Sequence, residues 1–203
     1  MAQSINDSDH QAQCSLAKDL FLAIEEGNGQ GALRLANKIC HLDGHRNERD
    51  ETPLIFAGRH DLEPEAMAYL LSRSNPLLQS SDGFTALIFA AWGRASHSSE
   101  LVSLLLPASD PLALSFRNDS ALRYAIVAEQ SRSVELLLPV SDLAQLDSSG
   151  QTPMARAMGL SDTESRNRIV RLIQAEMAQR EALAIAAGAS MGLPSPAKPP
   201  PRL

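Results

Sequence analysis

Apolar and polar positions follow one another along the chain in a pattern typical of short paired helices. Four apolar runs each begin directly after a Thr or Ser, and a polar break ends each run. A Thr or Ser hydroxyl suits the position before a helix because it accepts a backbone N–H of the first turn, and Pro fits the next position. The pattern therefore predicts four helix starts. They are Thr52-Pro53-Leu54, Thr85-Ala86-Leu87, Ser120-Ala121-Leu122 and Thr152-Pro153-Met154.

A second set of helices is predicted after each polar break, where apolar residues recur at i, i+3 and i+4. Pro-, Ser- and Asp-rich links follow three of these runs and predict turns. At the two ends of the chain, the pattern predicts a helical pair over 15–26 and 31–40 and a long helix over 164–186. The second helices are predicted over 65–71, 100–106, 133–138 and 168–173.

The four helix starts are spaced by 33, 35 and 32 residues. A nearly constant period of this size indicates stacked repeats, since one helical hairpin is too small to bury its own apolar face. We therefore expect an all-α repeat domain over 14–187, preceded by a disordered N-terminus over 1–13. The segment 188–203 is rich in Gly, Ser and Pro, and it predicts a disordered, partly polyproline tail.

These motifs resemble the ankyrin repeat family over roughly residues 14–180. The best matches are the segments 82–87 and 149–154, with Thr-Ala-Leu and Thr-Pro-Met, and the leucine run 133–138. The resemblance implies an ankyrin-repeat solenoid of about five helix-hairpin units with hairpin loops and a long C-terminal capping helix. The chain departs from the family where the His after Thr-Pro-Leu is expected, so we expect the hydrogen bonds of that His between units to be absent. Ile55, Ile88, Arg123 and Ala155 occupy that position.

Composition excludes several classes of function. A formal net charge of −6 and the absence of a basic stripe argue against nucleic-acid binding. The sequence shows no N-terminal secretory signal, and no apolar stretch approaches the ~20 residues that a membrane helix needs. Two cysteines in 203 residues are too few for a disulfide framework. We expect a cytoplasmic protein without membrane insertion, and export that needs no N-terminal signal stays open.

Catalytic and metal-binding motifs are weak in this sequence. No phosphate-binding Gly loop or nucleophile elbow is present, so we expect neither an enzyme nor a cofactor. Cys40, His41 and His45, with Asp43, form the one cluster that suggests a metal site or an enzymatic centre. Structural zinc normally takes four ligands in recognisable pairs, and no second pair exists here. The competing interpretation, which we favour, is a buried Cys40 at a helix end followed by an exposed loop.

Protein binding is the function that the resemblance to ankyrin repeats implies, through the hairpin tips and the concave face of the first helices. Trp92, Phe84 and Phe116 are the strongest candidates because aromatic side chains dominate interface hot spots. Arginines beside them are suited to bind partner carboxylates. We expect Phe116 to be exposed, and Trp92 to be either a core or a contact residue. The predicted binding residues are Arg49, Arg59, His60, Phe84, Trp92, Arg94, Phe116, Arg117 and Val127.

The aromatic residues at equivalent positions of the first helices, Phe56, Phe89 and Tyr124, predict a buried aromatic stack. Taken together, the sequence predicts a non-enzymatic protein–protein interaction module, in the role of an effector, an inhibitor or immunity protein, or an adaptor. The alternative is a structural subunit that associates with itself through its long C-terminal helix. We favour a monomer, and the partner's identity stays open.

Overall fold

The chain is all-helical in the computed structural model, which describes residues 2–60, 62–93 and 97–191. Within these ranges there are ten α-helices and no β-strand. Three short 3-10 turns, Leu42–Gly44, Leu106–Ala108 and Leu138–Val140, lie in the links between helix pairs. The α-helices are α1 (Ala2–Glu25), α2 (Gly29–Ala36), α3 (Pro53–Arg59), α4 (Pro64–Ser72), α5 (Ala86–Trp92), α6 (Ser98–Leu105), α7 (Ala121–Val127), α8 (Ser131–Leu137), α9 (Pro153–Met158) and α10 (Thr163–Met191).

The helices pack as five pairs in two layers. Odd-numbered helices α1 to α9 contact one another in order and form one layer, while α2 to α10 form the second layer in the same way. Each helix also contacts its partner in the opposite layer, from α1 with α2 to α9 with α10. Leu54, Leu87 and Leu122, which follow the predicted helix starts, are completely buried between the layers. The core is thus one continuous apolar layer, shared among pairs that are each too small to enclose it.

Four hairpin-like turns of the same geometry precede α3, α5, α7 and α9. In each turn, one residue has a positive φ: Asp50 (56°), Gly83 (78°), Asn118 (62°) and Gly150 (70°). Backbone N–H groups of the equivalent residues Asn47, Ser80, Ser115 and Asp147 each donate across the turn to a carbonyl four positions later, over 2.9–3.1 Å. Gly, Asn and Asp are the residues that tolerate this left-handed conformation. The spacing of the turns therefore follows from the sequence.

The predicted helix starts are confirmed at all four positions. Backbone N–H groups of Ile55 and Ile88 donate to the Thr52 and Thr85 hydroxyls over 3.3 and 3.2 Å. The equivalent donors Arg123 and Ala155 bond to Ser120 and Thr152 over 3.3 Å each. Each hydroxyl satisfies one backbone donor that would otherwise lack a partner inside the helix.

Neighbouring turns also bond to each other. The Ser81 backbone N–H donates to the Arg49 carbonyl over 3.1 Å, and that of Phe116 donates to the Asp82 carbonyl over 3.0 Å. Farther along, the Asn118 side chain donates to the Leu146 carbonyl over 2.8 Å. These bonds fix the tips of the four turns in one row along the edge of the first-helix layer.

The N-terminal helix begins much earlier than predicted. α1 starts at Ala2, whereas the sequence predicts a disordered segment over 1–13 and a helix from residue 15. No Gly or Pro occurs before Gly27, so nothing in the sequence interrupts the helix. Gln13 also holds α1 to the end of the next helix, because its side chain donates to the Lys38 carbonyl over 3.3 Å and accepts from the Cys40 N–H over 3.0 Å.

The long C-terminal helix α10 is confirmed, and it runs from Thr163 to Met191. Ile169 and Ile173 are completely buried against the preceding pairs. Arg180 secures the helix farther along, since its guanidinium donates to the Ser141 and Leu138 carbonyls over 3.0 and 2.6 Å. Residues 188–191 of the predicted tail are helical, and residues 192–203 lie outside the described part of the chain.

Candidate functional site

A groove of about 610 Å³ runs between the turn tips and the exposed side of α5 and α7. Its floor comes from the first helices and its edge from the turns, which is the surface that the sequence predicts. Phe84, Trp92, Phe116, Arg117 and Val127 all line it. The groove is also lined by Arg49, Glu51, Arg59, Asp82, Phe89, Asp119, Arg123, Tyr124 and Ser148.

An aromatic cluster forms the floor of the groove. The Phe84 ring stacks on Phe89 with centroids 4.7 Å apart and on Trp92 with centroids 6.0 Å apart. Trp92 in turn lies 5.3 Å from the Tyr124 ring. Phe89 and Tyr124 are buried, whereas Trp92 is 45% exposed. One part of the Trp92 ring therefore packs on the cluster, and another part faces the groove.

The predicted aromatic residues Phe56, Phe89 and Tyr124 are buried, but their rings do not stack directly on one another among the described contacts. Phe89 and Tyr124 are joined through Phe84 and Trp92. Phe56 packs edge-on against Phe21 of α1 with centroids 5.2 Å apart. The Arg59 guanidinium lies 5.1 Å from the Phe56 ring centroid and 5.7 Å from that of Phe89. A cation over an aromatic face is attracted by the negative π face. Arg59 thus joins the two rings, and it is also paired with the buried Glu51 at 3.5 Å.

His60 does not line the groove, although the sequence predicts it as a binding residue. Its ring lies against Phe56 with centroids 4.2 Å apart, and its buried Nε2 has no hydrogen-bond partner among the described residues. Burial and the neighbouring Arg59 cation lower the pKa of His60, against the opposing pull of Glu25 and Glu51. The ring is therefore held neutral at the end of α3, because it packs there as an apolar group.

A charged network closes the groove toward the last helix pair. Arg123 Nε lies 3.0 Å from Asp119 Oδ1 and 3.2 Å from Asp147 Oδ2. Arg156 Nε donates to the same Asp147 oxygen over 3.0 Å. Burial opposes the ionised Asp147, but the backbone N–H groups of Gln151 and Ser149 and both guanidinium groups hold the pKa of its carboxyl well below the usual range. This acid is therefore ionised and fully engaged at neutral pH.

Arg123 makes a contact between neighbouring turns that the sequence does not predict. It is the third residue after the helix start at Ser120, and its bond to Asp147 reaches into the next turn. The equivalent Ile55 and Ile88 are buried and apolar and make no such charged contact.

Several residues of the groove lie at its edge and not on its floor, and their side chains are exposed to solvent. Phe116 is 74% exposed at the tip of its turn, as predicted, and Val127 is exposed at the end of α7. Arg49 and Arg117 are exposed on the edge. The Asp119 carboxylate beside Tyr124 adds to burial in raising the pKa of the Tyr124 phenol. Arg94, which the sequence predicts as a binding residue, lies outside the described residues.

The alternative metal site is not assembled in the described part of the chain. No group of three or more His, Cys, Asp and Glu side chains is arranged there to hold a metal ion. Cys40 is exposed, contrary to the favoured interpretation, because α2 ends at Ala36 and Ile39 takes the buried position instead. Burial and the nearby His10 and His41 lower the pKa of His45.

Sequence reasoning missed two long-range contacts that hold the scaffold of the groove. Arg73 donates to the Ala36 and Ile39 carbonyls over 2.8 Å each, and Tyr69 donates to Asn37 over 2.9 Å. Both contacts join α4, the second helix of its pair, to the C-terminal end of α2, the second helix of the preceding pair. Nothing in the periodicity marks these residues, because they fall at polar positions beside the apolar stripe.

A scan against models of known protein families gives no match, and a search of curated proteins gives none either. Among the helices of the described ranges, none is both long and apolar enough to cross a membrane. The function is therefore inferred from the geometry of the groove.

Proposed function

We propose that this chain is a divergent ankyrin-repeat solenoid that acts, without catalysis, as a protein-binding module through the groove. Five helix pairs in two layers, with four equivalent turns, agree with that architecture. Preformed neighbouring pairs present a wide surface that loses little conformational entropy on binding. The roles of effector, inhibitor or immunity protein, and adaptor are all compatible with such a module.

The observation that carries the proposal is the exposed aromatic surface at the centre of the groove. Trp92 is the only tryptophan of the chain, and it lies half-exposed on a buried cluster that holds it in place. Tryptophan is enriched among the residues that dominate binding energy, especially where the surroundings pack it rigidly. Phe116 is 74% exposed and extends this apolar surface to the edge of the groove.

Affinity capture from native lysate tests the proposal. The tagged wild-type chain is compared with a Trp92→Ala, Phe116→Ala double variant and with a Leu77→Ala control. Leu77 is 58% exposed in a link outside the groove, so its loss removes exposed apolar surface elsewhere. We expect a partner that the wild type and the control retain and the double variant loses. Capture of the same proteins by all three would contradict the proposal.

Self-association is a second candidate, favoured by the end of α10. Leu183 and Ile185 are 63% and 65% exposed there, and residues 181–187 are all exposed. Light scattering across a concentration series tests it, with a Leu183→Glu, Ile185→Lys variant as the comparison. A wild-type dimer that the variant abolishes would support self-association, whereas a monomer at every concentration would leave the groove as the interaction surface.

A further inference from the structure

Three charged residues occupy equivalent positions at the tips of successive turns. Arg49, Asp82 and Arg117 are separated by 33 and 35 residues, which is the spacing of the turns themselves. All three are exposed and all three line the groove. We call these three residues the rim. Backbone bonds between neighbouring turns fix the order of the rim as cation, anion, cation.

The charges deeper in the groove are already neutralised within the chain. Arg59 is paired with Glu51 and stacked on two aromatic rings. Arg123 is paired with Asp119, which is almost completely buried and also accepts the Ser148 N–H over 3.3 Å. A partner therefore has no charge to satisfy on the floor, and burying these groups further leaves no carboxylate unpaired.

The rim differs from the floor in this respect. No carboxylate among the described residues lies within ion-pair distance of the Arg49 or Arg117 guanidinium, and no described cation lies that close to the Asp82 carboxylate. The chain as a whole has a net charge of −6, so two unpaired arginines on one groove are a local reversal of sign. Arginine pairs with carboxylates through two parallel hydrogen bonds, which gives both affinity and direction.

The distance between the two rim arginines determines the distance between the charges that a partner presents to them. Packed helices lie about 8–10 Å apart, so the two arginines, two units apart, are separated by roughly 16–20 Å. An extended chain advances about 3.3 Å per residue and covers that separation in about five or six residues. Between the two arginines lies Asp82, at the tip of the turn before α5, and Trp92 lies at the end of the same helix on the floor of the groove. The centre of the groove therefore favours an apolar side chain and repels a carboxylate.

We propose that the groove binds an extended segment of another protein that carries two acidic residues about five or six positions apart with an apolar residue between them. The acidic residues pair with Arg49 and Arg117, and the apolar side chain packs on Trp92. Asp82 repels segments that are acidic throughout. The rim therefore selects segments by the order of their charges and not by their net charge. This inference rests on the proposed function of the groove.

Peptide display on the full-length chain tests the pattern. A randomised library of about 12-residue peptides, long enough to span the rim in extended form, is selected on the wild type and on an Arg49→Glu, Arg117→Glu double variant. Selected peptides that lose binding to a Trp92→Ala variant are those that occupy the groove. We expect wild-type peptides to carry the acidic pair and the double variant to select Lys or Arg at the same two positions. Each charge mismatch should weaken binding by roughly tenfold or more.

The possible outcomes distinguish the predicted acidic pair from the more general binding function of the groove. Peptides that need Trp92 but show no acidic pair, or show a basic pair, would overturn the inference and leave the groove as a binding surface. If no selected peptide depends on Trp92, both the inference and the proposed function of the groove are contradicted. An Asp82→Asn variant sharpens the test, because it should accept an acidic residue at the centre that the wild type rejects.

Discussion

The centre of the first-helix layer and its last helix differ at equivalent positions, although their turns have the same geometry. Phe56, Phe89 and Tyr124 in α3, α5 and α7 are followed at the same position of α9 by Arg156. In the centre, aromatic rings stack and leave Trp92 exposed. At the end, Arg156 and Arg123 converge on Asp147, which has its bonds satisfied inside the chain. The exposed aromatic surface of the first-helix layer is therefore a property of the centre and not of the scaffold.

This difference shows that the residues that shape the turns are separate from the residues that form the surface of the groove. Four equivalent turns with the same caps and left-handed residues build the scaffold in both regions. Only the side chains on the groove side change, from aromatic to charged. A charged network that is internally paired offers little to a partner, whereas an exposed ring held by buried neighbours offers area without a large loss of entropy.

Removing a core leucine should have the largest effect, and a similar effect in successive helix pairs. Leu70, Leu105 and Leu137 occupy equivalent, fully buried positions in α4, α6 and α8. Each change to Ala should lower the free energy of unfolding by about 2–5 kcal/mol, because it leaves a cavity in the shared core. Urea unfolding followed by circular dichroism measures it. A loss at Leu137 far below the other two would show that the fourth pair, next to the end of the stack, does not share the scaffold.

The Asp147 network should contribute the next largest effect, confined to the end of the groove. Asp147→Asn should lower the free energy of unfolding by about 1.5–3 kcal/mol, the range for hydrogen bonds to a charged group. The low pKa of this carboxyl means that its stabilisation is complete above the unfolded pKa of about 4 and is lost as the pH falls below it. Urea unfolding over a pH series should give a smaller acid slope for the variant than for the wild type. Equal slopes would contradict the assignment.

Substitutions at two glycines with the same left-handed backbone conformation distinguish two stability costs. One is the cost of placing a side chain in the turn, and the other is the cost of disturbing the contact between neighbouring turns. At Gly150, an added Cβ meets nothing within 4 Å, so Gly150→Ala should cost only the left-handed penalty of about 1–2 kcal/mol. At Gly83, the Cβ would lie 2.6 Å from the Phe116 backbone nitrogen. Gly83→Ala should therefore cost more, as measured by urea unfolding. Equal losses would show that the central turns are not held as closely as their backbone bonds indicate.

Phe116→Ala should have the smallest effect on stability of these changes. The ring is 74% exposed, so the free energy of unfolding should fall by less than about 0.5 kcal/mol. The same variant should weaken capture of a partner, if the edge of the groove takes part in binding. A large loss of stability would place Phe116 with the packed cluster and remove it from the binding surface.

Local signals were enough to predict the helix starts and the second helices. The Thr and Ser caps and the apolar stripes act over a few positions, and both are visible in the sequence. Exposure of Phe116 followed from its place at a turn tip. The bond from Arg123 to Asp147 spans 24 residues, and the bond from Gln13 to Cys40 spans 27. No periodicity encodes such pairs, so the early start of α1 and the paired end of the groove required the structure.

The central claim, that a partner binds over Trp92, is tested most directly by fluorine NMR. The only tryptophan of the chain is Trp92, so a chain labelled with 5-fluorotryptophan gives one resonance from the centre of the groove. The label is titrated with the unlabelled partner identified by affinity capture. We expect this resonance to shift or broaden and to saturate in step with binding. A partner that binds while the resonance stays unchanged would contradict it, because the interaction surface would then lie away from the groove.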